Sequence, residues 1–171
     1  MSTGADGSAN SKQEFPMPYT TDSRGYDKLV EDNPEAVRIL AEGDSWFAYP
    51  RRFIYFGAPS NVVQILAERD YYVIYSTASI GDEVASMMTG EQKFGFTKRL
   101  GTNEFDIILF SGGGNDIVGK YDFDLFLRPR QSAQIWQDCI DIERLDNKLD
   151  LIESVYVELM ERVNYYSVNP D

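Results

Sequence analysis

The chain has no histidine and one cysteine, Cys139, among its 171 residues. These absences exclude much chemistry. A zinc site built from nitrogen and sulfur ligands needs several such residues, and this sequence cannot supply them. A single thiol forms no internal disulfide. The ordinary general base for a serine nucleophile, an imidazole, is missing too. No apolar run approaches the roughly 18 residues that a membrane-spanning helix needs. Basic residues do not cluster: Arg51-Arg52 and Lys98-Arg99 are isolated pairs. With a net charge of -12, the chain lacks the positive surface that nucleic acid or an anionic membrane demands of a partner. The opening MSTGADGSANSKQEF has neither a basic start nor an apolar core, so it does not read as a secretory signal. A cytoplasmic location is the expectation that remains.

What is present suffices for one domain with a real core. Residues 1–35 read as a flexible leader, rich at first in Ser, Gly, Asn and Thr and without hydrophobic period. From residue 36 to 171 the segments alternate in type. VRILAEG (Val37–Gly43) is strand-like. SNVVQILAERD fits a short helix with Val62, Val63, Leu66 and Ala67 on one side. YYVIYS is a β-branched and aromatic run, and FDIILFSGGG reads as a buried strand running into glycines. Between 144 and 166, Leu145, Leu149, Ile152, Tyr156, Leu159, Val163 and Tyr166 recur at steps of four and three, which marks one face of a helix covering a sheet. Residues 117–140 fit neither pattern and read as an insertion over one edge of the sheet. The β-α-β order predicts a three-layer α/β/α sandwich with a parallel, flavodoxin-like sheet.

Each of the three strands runs on into unusual loop residues. The first ends in Gly43-Asp44-Ser45, the second leads to Gly81-Asp82, and the third ends in SGGGND, Ser111 to Asp116. Taken singly, each is an ordinary turn. In open α/β sheets, however, ligands bind beyond the carboxyl ends of the strands, and all three loops belong to that edge. A serine oxygen, glycine N–H groups and an asparagine amide gathered there suit acyl transfer. The serine attacks a carbonyl, and converging donors stabilise the oxyanion that develops.

With these residues in this order, the sequence resembles the SGNH, or GDSL-type, hydrolases. Gly43-Asp44-Ser45 looks like that family's first block, and the resemblance implies that Ser45 is the nucleophile. Gly81 looks like the second-block glycine, whose N–H donates to the oxyanion. Gly113-Gly114-Asn115-Asp116 looks like the third block, with Asn115 giving a side-chain donor and the Ser45 N–H completing the set. Asp44 and Asp116 are expected to hold the first and third loops. The implied substrate is a small ester, and no cofactor is implied. The family's fourth block, Asp-x-x-His, is absent. The resemblance therefore implies a domain incomplete at its C-terminus, either as a fragment or as a non-catalytic binding module that retains the pocket.

Other motifs compete less well. GNDIVGKY, Gly114 to Tyr121, nearly spells a phosphate-binding P-loop, but Tyr121 stands where the magnesium-binding hydroxyl belongs and Asp116 places a negative charge in the cradle. The Gly-x-Ser-x-Gly nucleophile elbow is not met, because Phe47 replaces its last glycine. Trp46, Phe47 and Tyr49 are expected in the core, with a substrate pocket as the other possibility. Cys139 is expected to be a buried small apolar residue.

Overall fold

The computed structural model describes residues 18–49, 61–69, 71–119, 121–132 and 134–168. Four parallel strands form one sheet: β1 (Tyr19–Thr20), β2 (Val37–Gly43), β3 (Tyr72–Ser76) and β4 (Ile107–Ser111), in the order β1-β3-β2-β4. The eight helices among the described residues are α1 (Ser23–Asp32), α2 (Ser45–Ala48), α3 (Val62–Ala67), α4 (Val84–Met87), α5 (Gly90–Thr102), α6 (Gly114–Val118), α7 (Phe123–Phe126) and α8 (Ile142–Tyr166).

Strand alternation sorts the core into two halves. Ile39 and Ala41 of β2 and Ile74 of β3 face one layer, where they meet Phe47 of α2 and Val63 and Ala67 of α3. Leu40, Val73 and Tyr75 face the other, against Tyr26 of α1, Val84 of α4, Phe96 and Leu100 of α5, and Val155 and Leu159 of α8. The expected α/β/α sandwich is therefore the observed one. From β2 the chain passes to β3 on one side and later to β4 on the other. The strand order thus reverses between β2 and β4, which is where doubly wound sheets open a crevice.

Four expectations are corrected. Residues 18–35, read as part of the leader, carry β1 and α1. Asp22 caps α1 by accepting the Gly25 N–H at 2.8 Å. Asn33 closes the helix just before Pro34, a residue that disfavours helix in its predecessor. Tyr26 is buried and stacks on Tyr75 with ring centroids 5.3 Å apart, while Leu29 and Val30 pack beside it. The apolar positions 26, 29 and 30 are a helical signal too short to stand out among the polar residues. The rest of that leader, 1–17, lies outside the described residues.

Next, β4 is not a fully buried strand. It is an edge strand of the described sheet, half-exposed along its length. An apolar run does not by itself distinguish centre from edge. Finally, α8 buries Val155 and Leu159 most deeply and leaves Leu149 and Tyr166 exposed. The contacting face drifts because 3.6 residues per turn do not keep a strict heptad in register.

Residues 117–140 are irregular, as expected. They contain α7, a short 3-10 turn at Trp136–Cys139 and one antiparallel bridge, Leu127 to Ile140. Arg128 clamps the segment to Asp141 at 2.6 Å, the residue that caps α8. Cys139 is only half-buried, so the expectation of a core thiol is corrected as well. No helix among the described residues is long and apolar enough to cross a membrane.

Tyr26 gives a direct test of the corrected boundary. Removing a large aromatic side chain from a core costs about 3–5 kcal/mol. Tyr26→Ala should lower the urea midpoint accordingly, whereas a leader residue would change it by less than about 0.5 kcal/mol.

Candidate active site

The loops after β2, β3 and β4 are bonded to one another at the carboxyl edge of the sheet. The tightest junction is between the first and third. A Cβ on Gly43 would stand 2.8 Å from the Ser111 carbonyl oxygen, so only glycine fits there without a shift. The Asp44 N–H donates to that same carbonyl at 3.1 Å. The Asp44 carboxylate accepts the Ser111 hydroxyl at 2.8 Å and the Trp46 N–H at 3.1 Å. It thereby caps the four-residue helix α2 and orients the turn that carries Ser45.

The second loop is held from both sides. The Ser79 N–H donates to the Gly43 carbonyl at 2.9 Å. From the third loop, the Asn115 amide donates to the Asp82 carbonyl at 2.9 Å, and Asp116 accepts the Val84 N–H at 2.8 Å. Asp116 is 0% exposed, and its other carboxylate oxygen has no partner among the described residues. Gly113 takes a φ of 100° at the start of α6 and Gly81 a φ of 85°, conformations that glycine adopts at little steric cost. Gly114 opens α6 with free space around it. Tyr156 reaches from α8 to donate to the Gly112 carbonyl at 3.0 Å; burial raises its phenol's pKa above the ordinary value.

Ser45 sits on the first loop, Gly81 on the second and Asn115 on the third. Ser45 is partly exposed, and its hydroxyl makes no hydrogen bond among the described residues. The backbone N–H groups of Ser45 and Gly81 likewise meet no acceptor among them. Asn115 commits one amide hydrogen to Asp82 and keeps the other. The residues Gly43, Asp44, Gly113 and Asp116 act as struts. Sequence reasoning missed Ser111 and Tyr156, which complete the bracing. Ser111 was visible as the polar residue ending an apolar strand, whereas Tyr156 looked like one more apolar position on its helix.

The aromatic residues after Ser45 divide. Phe47 is core, while Trp46 is 67% and Tyr49 48% exposed, which corrects their assignment to the interior. The P-loop-like stretch is already helical from Gly114 to Val118. A P-loop instead wraps its phosphate before its helix begins. Lys120 lies outside the described residues.

On the other face of β2, Glu42 is 2% exposed. Burial pushes its carboxyl up to about 7; Asp82 adds to this, while the Thr77 hydroxyl bond and Arg99 oppose it.

No protein-family model, curated protein or solved structure matches the chain.

Gly43→Ala drives a methyl into the Ser111 backbone, and overpacking of this kind costs about 1–3 kcal/mol; chemical denaturation should register it. For Glu42, a folded pKa above the ordinary carboxylate value means a contribution to stability that is full at low pH. That contribution is lost as pH rises from 4.5 through about 7. The urea midpoint of Glu42→Gln should fall less over that interval than that of the wild type.

Proposed function

We propose that the chain is the nucleophile-bearing part of an ester hydrolase of the SGNH type, acting on a small ester. The observation that supports this reading is the bracing of three loops at the switch point of the sheet. Those loops leave one serine hydroxyl and two backbone N–H groups unengaged among the described residues. Idle donors and an idle hydroxyl at a rigid edge match what acyl transfer requires.

In this reading the Ser45 oxygen attacks the ester carbonyl carbon while its proton passes to a base. The oxyanion is met by the N–H groups of Ser45 and Gly81 and by the free amide hydrogen of Asn115. Collapse expels the alcohol, which takes up the proton, and water then releases the acid from Ser45. Asp44 and Asp116 serve geometry and are not the base. Asp44 is committed to Ser111 and Trp46, and Asp116 to Val84. With no histidine in the sequence, the base is the missing component. Oxyanion donors alone sustain roughly 10³–10⁴-fold catalysis over water in serine proteases stripped of their triad.

The chain alone should hydrolyse p-nitrophenyl acetate barely above background. Millimolar imidazole should add a rate increment beyond the reaction of imidazole and ester in buffer. Ser45→Ala, folded by its thermal transition, should lose that increment. An increment of equal size in Ser45→Ala would place the chemistry elsewhere. No increment in either protein would favour the non-catalytic binding module.

A further inference from the structure

Glu42 and Arg99 share a cavity of about 410 Å³ between the ends of β2 and β3 and the helix α5, with Ser76, Thr77, Gln92 and Gly95 among its walls. It involves none of Ser45, Gly81 and Asn115, so a ligand bound there is independent of the hydrolase reading. Two of its groups are left incomplete. The Arg99 guanidinium lies over the Tyr75 ring at 4.8 Å, with no hydrogen bond or ion pair among the described residues, and its Nε is buried. Glu42 takes the Thr77 hydroxyl on one carboxylate oxygen, and the other has no partner among those residues.

A buried acid and an unpaired guanidinium facing one cavity, yet not bonded to each other, are an unusual arrangement. Buried polar groups without partners are unfavourable. The guanidinium offers donors only, so the natural occupant is rich in acceptors. A carboxylate matches the planar fork of arginine with two parallel hydrogen bonds. A second negative charge would be opposed by Glu91 on the cavity wall and by Asp82, which Gln92 holds at 2.6 Å.

We propose that this cavity binds a small organic monocarboxylate, held by the Arg99 guanidinium against the Glu42 carboxyl. The charged groups facing Glu42 are Asp82 in the loop after β3 and Arg99 on α5, with Glu91 of α5 on the wall. Because Glu42 titrates at about 7, it is a hydrogen-bond donor to the ligand below that pH and a repelling anion above it. Affinity therefore falls as pH rises. Between one unit below and one unit above the Glu42 pKa, the protonated fraction, and with it the affinity, drops about tenfold.

The test uses the full chain and sodium propionate, with sodium chloride at equal ionic strength as reference and inorganic phosphate as a second arm. Binding is read by calorimetric titration and by the shift in thermal unfolding. Propionate should bind saturably one unit below the Glu42 pKa and about tenfold more weakly one unit above it. Arg99→Gln should abolish binding. Glu42→Gln should bind with little change over the same range. Gly95→Val keeps every charged group but fills the wall, since a Cβ there stands 2.9 Å from Arg99 Nη1, and it too should lose binding. If Arg99→Gln does not fold, Gly95→Val decides. Absence of saturable binding at the lower pH, full binding in Gly95→Val, or an unchanged pH dependence in Glu42→Gln would overturn the proposal. Tighter binding of phosphate than of propionate would overturn the carboxylate assignment.

Discussion

The carboxyl ends of β2 and β4 approach so closely that the chain has no room for a side chain at Gly43. The rest of the edge depends on this constraint. The missing Cβ lets the Asp44 N–H reach the Ser111 carbonyl, and the Asp44 carboxylate then spans to the Ser111 hydroxyl and the Trp46 N–H. One residue thus ends a strand, starts a helix and fixes the neighbouring strand against both. Ser45 emerges where it does because the residue before it is fully committed. On the opposite side of β2, the Gly43 carbonyl takes the Ser79 N–H, so the same glycine also ties in the loop after β3.

A second tier of bonds supports the first. Asn115 and Asp116 reach back to the Asp82 carbonyl and the Val84 N–H, which fixes the third loop to the second. Tyr156 of α8 holds the Gly112 carbonyl, and Ile152 lies where a Cβ on Gly113 would touch it, at 3.4 Å. The long helix therefore does more than cover a sheet face; it braces a glycine-rich loop that its own sequence would leave floppy. Burying the Asp116 carboxylate with one oxygen unpaired among the described residues is unfavourable.

The architecture was legible because its signals are periodic. VRILAEG and YYVIYS are β-branched and aromatic runs of strand length, NVVQILA carries a helical spacing, and their order dictates a parallel sheet. The struts at Gly43, Asp44, Gly113 and Asp116 were legible because each lies at a strand end or in the segment that follows one, and belongs to a residue type with a turn or capping preference. What escaped detection lacked local contrast. The helix around Tyr26 shows its apolar side at three positions among charges, and its burial depends on Tyr75 and Phe105, which are remote in sequence. The edge position of β4 is a property of the sheet and not of its five residues. Phe47 and Trp46 are adjacent and similar, and only the direction of a four-residue helix sends one inward and the other out.

Glu42 and Gly43 show how much the period of two in a strand controls. Gly43 is spaced with Ala41 and Ile39 toward one layer, and Glu42 with Leu40 toward the other, where it lines a polar cavity beside the apolar cluster. A propensity rule would not put an acid there, and departures of this kind gather at functional sites. The loop after β3 touches both residues. Its Thr77 hydroxyl holds the Glu42 carboxylate, and its Ser79 N–H holds the Gly43 carbonyl. Three consecutive residues, Thr77 to Ser79, thus set the wall of the cavity and one support of the serine loop at once. The two polar features of the edge are chemically separate, yet they share a single stretch of backbone for their geometry.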